Sequence, residues 1–399
     1  MDLYLQFGYG MIGHTRALLA EWGGGGVVLS PRDLDPEQLV RVSAEVVEGG
    51  YDALIDPQVY ARSSDHARLT EHPYWSDLPT QTTIGLSDGA DHAALFQTLA
   101  SLNVQGRTAS SIIPALMANE VADVWLEHLD SLAATAAVTL GRDSYLTIAL
   151  SSEAIRDEVA VDRVVDQASR WPTRGCYVLV EQADYLVTDP LWYGGLLTLA
   201  AGLSLAGKRV IVGYQNHMGL VLAATGVDAI CSGTWLNVRS FSLERFYQAD
   251  PDAVSRRAAG GWYYAPQVLA EYKMPFLDTA QRLGVLDDLR TASPLPDTYS
   301  QALFAGPQPS TIDWGERNAF RHYLHVLRSQ AQAYSAGTYS SNLQALRGVF
   351  QHASQAQQAL AMQGVVGQDR QNPDALDAAL AGLALLDRAL GARLRRDRG

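Results

Sequence analysis

Short apolar stretches recur along the chain, separated mostly by lengths that a helix can fill. Leu3 to Phe7, Gly26 to Leu29, Ala53 to Ile55, Ser111 to Leu116, Tyr145 to Leu150, Cys176 to Val180, Val210 to Val212 and Val227 to Cys231 each predict a strand. They carry apolar residues at consecutive positions, a pattern that requires cover on both faces and so points to a parallel sheet. The clearest unit is Arg209 to Gly233: a strand stopping at Gly213, the polar cluster Tyr214-Gln215-Asn216-His217, a helix-length apolar run from Met218 to Thr225, and a second strand. Helical patterns follow most of the other strands, for example Thr15 to Trp22 and Pro36 to Glu48, the latter with Asp35 as N-cap. Eight such units predict a (β/α)8 TIM-like barrel over residues 1–245; a doubly wound sheet is the competing arrangement.

The gap between the third and fourth strands exceeds one helix, so residues 61–105 are expected to be an insertion carrying one helix. Thr83-Ile84-Gly85-Leu86 within it is a possible further strand. Residues 246–312 mix prolines with aromatic residues and predict irregular structure packed on the barrel. Residues 313–399 predict a C-terminal helical extension of three helices, Asp313 to Ser335, Ser341 to Met362 and Pro373 to Arg396, with Pro373 in the first turn. Their Ala/Leu/Gln-rich faces suit a helical appendage or a homo-oligomer interface. The tail Arg393-Leu394-Arg395-Arg396-Asp397-Arg398 is most simply a cationic helix end.

Composition narrows the functional classes. A formal charge of −13 over 399 residues argues against a surface-wide grip on a nucleic-acid backbone. The two cysteines, Cys176 and Cys231, lie in apolar strand contexts and read as buried thiols, and they cannot build a Cys/Cys/His zinc cluster. With no leader pattern and no long apolar run, a soluble, cytoplasmic protein with no membrane partner is expected.

Polar residues collect where the strands end, which is where barrels place their chemistry. The third strand ends in Asp56-Pro57-Gln58-Val59-Tyr60, a carboxylate beside an amide and a phenol, equipped to recognise a heterocycle or move a proton. Arg32 and Asp33 follow the second strand, Asn119 and Glu120 the fourth, Ser151, Ser152 and Glu153 the fifth, Glu181 and Gln182 the sixth, and Gln215, Asn216 and His217 the seventh. Such a ring, poor in lysine, suits a polar neutral ligand such as a nucleobase more than a polyphosphate. His217 and His14 are further acid/base candidates, although single histidines more often serve as hydrogen-bonded loop residues. Gly8-x-Gly10-x-x-Gly13 after the first strand, with Asp33 about 20 residues on, matches the outline of a dinucleotide fingerprint and keeps an NAD-dependent oxidoreductase open.

The Val210 to Cys231 segment and the Leu54 to Tyr60 stretch resemble the tRNA-guanine transglycosylases, enzymes that exchange guanine for a queuine or 7-deazaguanine-type base. The resemblance spans about 240 residues in order and spacing. It implies that Asp56 is the base-recognising, proton-handling aspartate and that Tyr60 stacks on the base, with Gly226, Val227 and Asp228 leading into the final strand. Arg32, Gln58, Ser151, Glu181, Gln215 and Asn216 complete the expected base-binding set. The chain departs from the family at several places. The nucleophilic aspartate falls at Cys231, the fifth-strand amide near Ser151, the sixth-strand Gly-Gly near Val180-Glu181, and the family's zinc site is absent. The resemblance implies a zinc-free, cofactor-free barrel that binds such a base, and possibly transfers it as a pentosyl transferase or N-glycosidase. The acceptor would be tRNA, DNA or a modified protein partner, as relatives of this kind also occur in DNA-modification and antiviral gene clusters. A catalytically silent base-binding or scaffold protein is the alternative.

Overall fold

Each of the eight apolar stretches becomes a strand in the computed structural model, which describes residues 1–61, 64–76, 90–182, 184–248, 261–291, 297–306 and 308–399. They are β1 Asp2–Gln6, β2 Gly26–Leu29, β3 Asp52–Ile55, β4 Ser111–Ile113, β5 Ser144–Leu150, β6 Gly175–Val180, β7 Arg209–Val212 and β8 Ala229–Ser232. β4 stops short of the predicted Leu116 because Pro114 has no N–H for the ladder.

The strands are hydrogen-bonded in the order β3-β2-β1-β8-β7-β6-β5-β4, all in parallel. Since Tyr4 of β1 pairs with Gly26 of β2 on one side and Cys231 of β8 on the other, the sheet curls into a nearly closed (β/α)8 barrel. The seam lies between β3 and β4, where Met117 N donates to Tyr60 O at 3.0 Å just beyond the strand ends.

Alternation sets what each strand offers. Tyr4, Val28, Leu54, Ile112, Tyr145, Tyr177, Ile211 and Cys231 fill the interior, while Leu3, Val27, Ile55, Ile113, Val178 and Ile230 face the helices. The outer ring includes Ile12–Trp22, Pro36–Glu48, Ala90–Gln105, Asp123–Thr139, Glu158–Ala168 and Pro190–Leu205. Asp35 caps its helix as expected, accepting from Gln38 N at 2.8 Å within a capping box.

Three expectations need correction. Residues 61–105 carry Ala67–Thr70, Pro73–Ser76 and Ala90–Gln105, and the last is a member of the outer ring, packed on Asp123–Thr139 and Pro36–Glu48. The possible strand Thr83 to Leu86 lies outside the described residues. Met218 to Thr225 is not an α-helix but the 3-10 segment His217–Ala224, buried throughout between helices Glu316–Tyr334 and Tyr339–Met362. Its apolarity on every side reflects cover on every side rather than helical amphipathicity. The segment expected to be irregular contains an antiparallel hairpin, β9 Trp262–Ala265 and β10 Ala270–Lys273, followed by the helix Met274–Leu283. These elements share a core of their own around Tyr263, Tyr272, Leu277 and Trp314.

The three C-terminal helices form where expected, as Glu316–Tyr334, Tyr339–Met362 and Pro373–Asp397. They are an outer layer of the barrel rather than a free appendage. Glu316–Tyr334 packs on β1 and on Ile12–Trp22, where Arg328 Nε meets Asp2 Oδ1 at 2.7 Å. Pro373–Asp397 lies along Pro190–Leu205 so closely that a Cβ on Gly382 would fall 2.4 Å from Tyr193 Cβ. The buried apolar faces of these helices pack on the barrel and on one another. Among the described residues no helix is long and apolar enough to cross a membrane.

Candidate functional site

The carboxyl end of β3 places a carboxylate inside the barrel. Asp56 follows Ile55 with no exposed surface, and Gln58, two residues on, adopts a left-handed backbone with φ +58°. A non-glycine residue pays for that conformation, and it is held here by specific contacts. Gln58 N donates to Asp56 Oδ1 at 3.0 Å, while the Gln58 amide donates to Ser30 Oγ at 2.9 Å and Tyr214 Oη at 3.0 Å. Its Oε1 accepts from Arg32 N at 2.9 Å. The turn brings Tyr60 back over the carboxylate, and its hydroxyl donates to Asp56 Oδ2.

Two further tyrosines complete this cluster. Tyr177 of β6 directs its hydroxyl between Gln6 Oε1, at 3.2 Å, and Asp56 Oδ2, at 3.4 Å. There is room for it because β7 is followed by Gly213, where a Cβ would sit 2.6 Å from that hydroxyl and 2.5 Å from Leu179 Cδ2. Tyr214, with φ +55°, then turns inward to meet Gln58. Gln6 Nε2 is buried without a hydrogen-bond partner among the described residues.

The chain after β8 crosses this end of the barrel. Phe241 bridges to Glu181, with Gln182 N donating to Phe241 O at 3.0 Å. Arg32 Nε holds Arg245 O at 2.7 Å, and Ser64 Oγ donates to Phe246 O. The rings of Phe241 and Phe246 meet Tyr60 edge-on at 5.2 and 4.9 Å, so the carboxylate sits beneath an aromatic cover.

Burial dominates the electrostatics. It pushes the Asp56 carboxyl up to about 7, even though the Tyr60 hydroxyl, Gln58 N, the Tyr177 hydroxyl and the charge of Arg245 all favour the ionised form. Such a group holds and releases a proton near neutral pH, as general acid/base chemistry and recognition of a protic heterocycle require. Burial, together with the neighbouring Asp56 charge, raises the Cys231 thiol well above its usual range. Cys231 lies on the barrel interior with no exposed surface, where burial disfavours its thiolate.

Asp56, Gln58, Tyr60 and Arg32 thus meet through hydrogen bonds, with Cys231 in the same buried cluster as Tyr60 and Tyr177, whereas the side chains of the remaining candidates do not contact Asp56. Ser151 is buried and its Oγ accepts from Ala154 N at 3.2 Å, opening the turn Ala154–Arg156. Glu181 enters the bridge to Phe241 through its main chain. The Gln215 amide donates to Gly213 O at 2.9 Å. Asn216 caps the 3-10 segment through Met218 N, at 2.8 Å, and donates to Tyr185 O at 2.5 Å. His217 faces Tyr264 and Tyr185, and burial lowers it to about 4. His14 packs edge-on against Phe320 on the outer helices, and burial lowers it to about 4 as well.

Gly8 allows the β8 loop to approach, since a Cβ there would lie 2.9 Å from Val238 Cγ1, and Gly10 takes φ +77°. Asp33 is bound to Ser30 Oγ at 2.8 Å and to Arg32 at 3.3 Å. With β1 between β2 and β8, this loop sits in a barrel and lacks the open doubly wound sheet to which the dinucleotide fingerprint belongs.

Sequence reasoning missed a second buried polar centre. Glu271 of β10 accepts from Arg239 Nη1 at 3.1 Å on both oxygens, from Arg370 Nη1 at 2.8 Å and from Tyr185 at 3.1 Å. Burial opposes its ionisation, but Arg239 and Arg370 outweigh it and lower the carboxyl to about 2. Arg239 lies over the Tyr323 ring at 3.5 Å. The network ties the β8 loop to the hairpin and the C-terminal helices. The sequence signal was slight, a single charge between apolar and aromatic residues in Ala270-Glu271-Tyr272. Among the described residues no three His, Cys, Asp or Glu side chains gather as a metal site. No protein-family model matches the chain, and no curated protein matches it.

Proposed function

We propose that the carboxyl end of this barrel binds a planar guanine- or 7-deazaguanine-type base, with Asp56 as the group that recognises it and exchanges a proton with it. The observation that carries this reading is Asp56 itself, a fully buried carboxyl near its titration midpoint at neutral pH, surrounded by Tyr60, Tyr177, Tyr214 and the rings of Phe241 and Phe246. A carboxylate accepts from two adjacent N–H groups of a purine-like edge, and aromatic side chains supply faces for stacking. The resemblance to tRNA-guanine transglycosylases assigns the same work to this aspartate.

The reading favours binding, or proton-assisted chemistry, over a covalent glycosyl-enzyme. Covalent exchange needs an ionisable nucleophile opposite the aspartate, and Cys231, which the resemblance puts in that role, has its thiol raised by burial. If the base is released from or joined to a sugar, Asp56 is the group available to activate the attacking hydroxyl or water. The test is calorimetric titration with guanine and 7-deazaguanine bases, in parallel on Asp56→Asn. Micromolar binding that the substitution weakens at least tenfold supports the reading; equal binding by both proteins places the ligand elsewhere and rejects it.

A further inference from the structure

The guanidinium of Arg245 is the least satisfied charged group at the barrel mouth. Its Nε and Nη1 atoms are buried without a hydrogen-bond partner among the described residues. It lies over the Tyr214 ring at 5.1 Å and the Phe246 ring at 5.7 Å, and its own carbonyl is pinned by Arg32 Nε at 2.7 Å. The Arg32 guanidinium is close by and already pairs with Asp33 at 3.3 Å. The charge of Asp33 thus acts on both guanidinium groups, and the Asp56 carboxyl beneath adds at most a partial negative charge near neutral pH. A buried donor left unpaired forfeits its hydration without recompense, the more so when charged, so such a group persists where a ligand completes it. Arginine forks match the geometry of a phosphate.

We infer that Arg245, supported by Arg32, is a phosphate seat, and that the ligand of this mouth is a base carried on a phosphorylated sugar rather than a free base. The inference rests on the base reading only for the identity of the ring; the seat itself rests on Arg245. Arg32 acts as a positioning residue, holding the backbone from which Arg245 projects.

The experiment titrates the full chain with guanosine, guanosine 5′-monophosphate and ribose 5-phosphate, and repeats each titration with Arg245→Gln and Arg245→Lys. The nucleotide is expected to bind at least tenfold tighter than the nucleoside. Arg245→Gln should remove that advantage while changing nucleoside affinity less than threefold, and Arg245→Lys should restore part of it. Equal affinity for nucleoside and nucleotide, no binding of either phosphate compound, or a phosphate preference that survives Arg245→Gln would overturn the seat. Ribose 5-phosphate binding that depends on Arg245, with no response to guanosine or to Asp56→Asn, would keep the seat and reject the base reading.

Discussion

Asp56→Asn isolates what the buried carboxyl costs the fold. Below its ordinary value of 3.8 the carboxyl is protonated in both the folded and unfolded chain and costs nothing. As pH rises the unfolded chain ionises first, while the folded protein retains the proton until about 7, so stability falls across that window and the loss is complete above it. At about 1.4 kcal/mol for each tenfold change in proton affinity, the full penalty is about 4 kcal/mol, of which about 3 kcal/mol develops between about pH 4.5 and pH 8. Asparagine fits the same space and does not titrate. Its amide places a donor where Oδ2 accepts from Tyr60 and Tyr177, a mismatch that hydroxyl rotation relieves and that is the same at every pH. Urea denaturation of both proteins across that range should show the wild type losing about 3 kcal/mol relative to the variant as pH rises. A difference that stays constant within about 0.5 kcal/mol would refute the raised carboxyl and, with it, its fitness for proton exchange.

Three further outcomes follow from the packing. Glu271→Gln leaves Arg239 and Arg370 without their shared counter-charge and should cost about 3–5 kcal/mol by denaturant unfolding at pH 7; a loss under about 1 kcal/mol would contradict the network as drawn. Cys231 should resist maleimide in the folded protein at pH 8 and react only after denaturation, as read by mass spectrometry, and labelling at the rate of a free thiol would mean that the interior is open. Gly195→Ala drives a Cβ to within 1.7 Å of Ile155 O and should lower the melting temperature by several degrees through loss of contact between the helix Pro190–Leu205 and the turn Ala154–Arg156; an unchanged melting temperature would show that this contact is looser than described.

The barrel was legible because its signal is local. Each strand is a run of apolar residues, each turn a break in it, and seven of the eight strands lie at or within two residues of where the runs place them, β4 alone ending three residues early before Pro114. The limits of the sequence lie where contact partners are distant. Asp56 and Tyr60 were visible as a cluster within five residues, yet Tyr177 reaches the same carboxylate from β6, and Gln6 and Tyr214 join the cluster through Tyr177 and Gln58 from two other strands or their ends. Arg245, Phe241 and Phe246 belong to a loop whose sequence shows no period. The Glu271 centre joins Tyr185, Arg239 and Arg370, residues far apart along the chain, and nothing in any of their neighbourhoods marks the partner. His217 and the amides of Gln215 and Asn216 follow β7 as a site would, yet their contacts are local: the Gln215 amide holds Gly213 O, Asn216 caps the 3-10 segment and His217 faces Tyr264 of the hairpin. The run after them read as a helix because composition alone does not distinguish burial on one face from burial on all.

The most direct measurement is a crystal structure of the protein grown with a 7-deazaguanine base. The expected result is the ring at the carboxyl end of the barrel, with its N–H edge within hydrogen-bond distance of the Asp56 carboxyl and a face against Tyr60 or Tyr214. Density for the base outside the barrel mouth, or an Asp56 carboxyl still closed off by Tyr60, Tyr177 and Gln58 at saturating ligand, would contradict it.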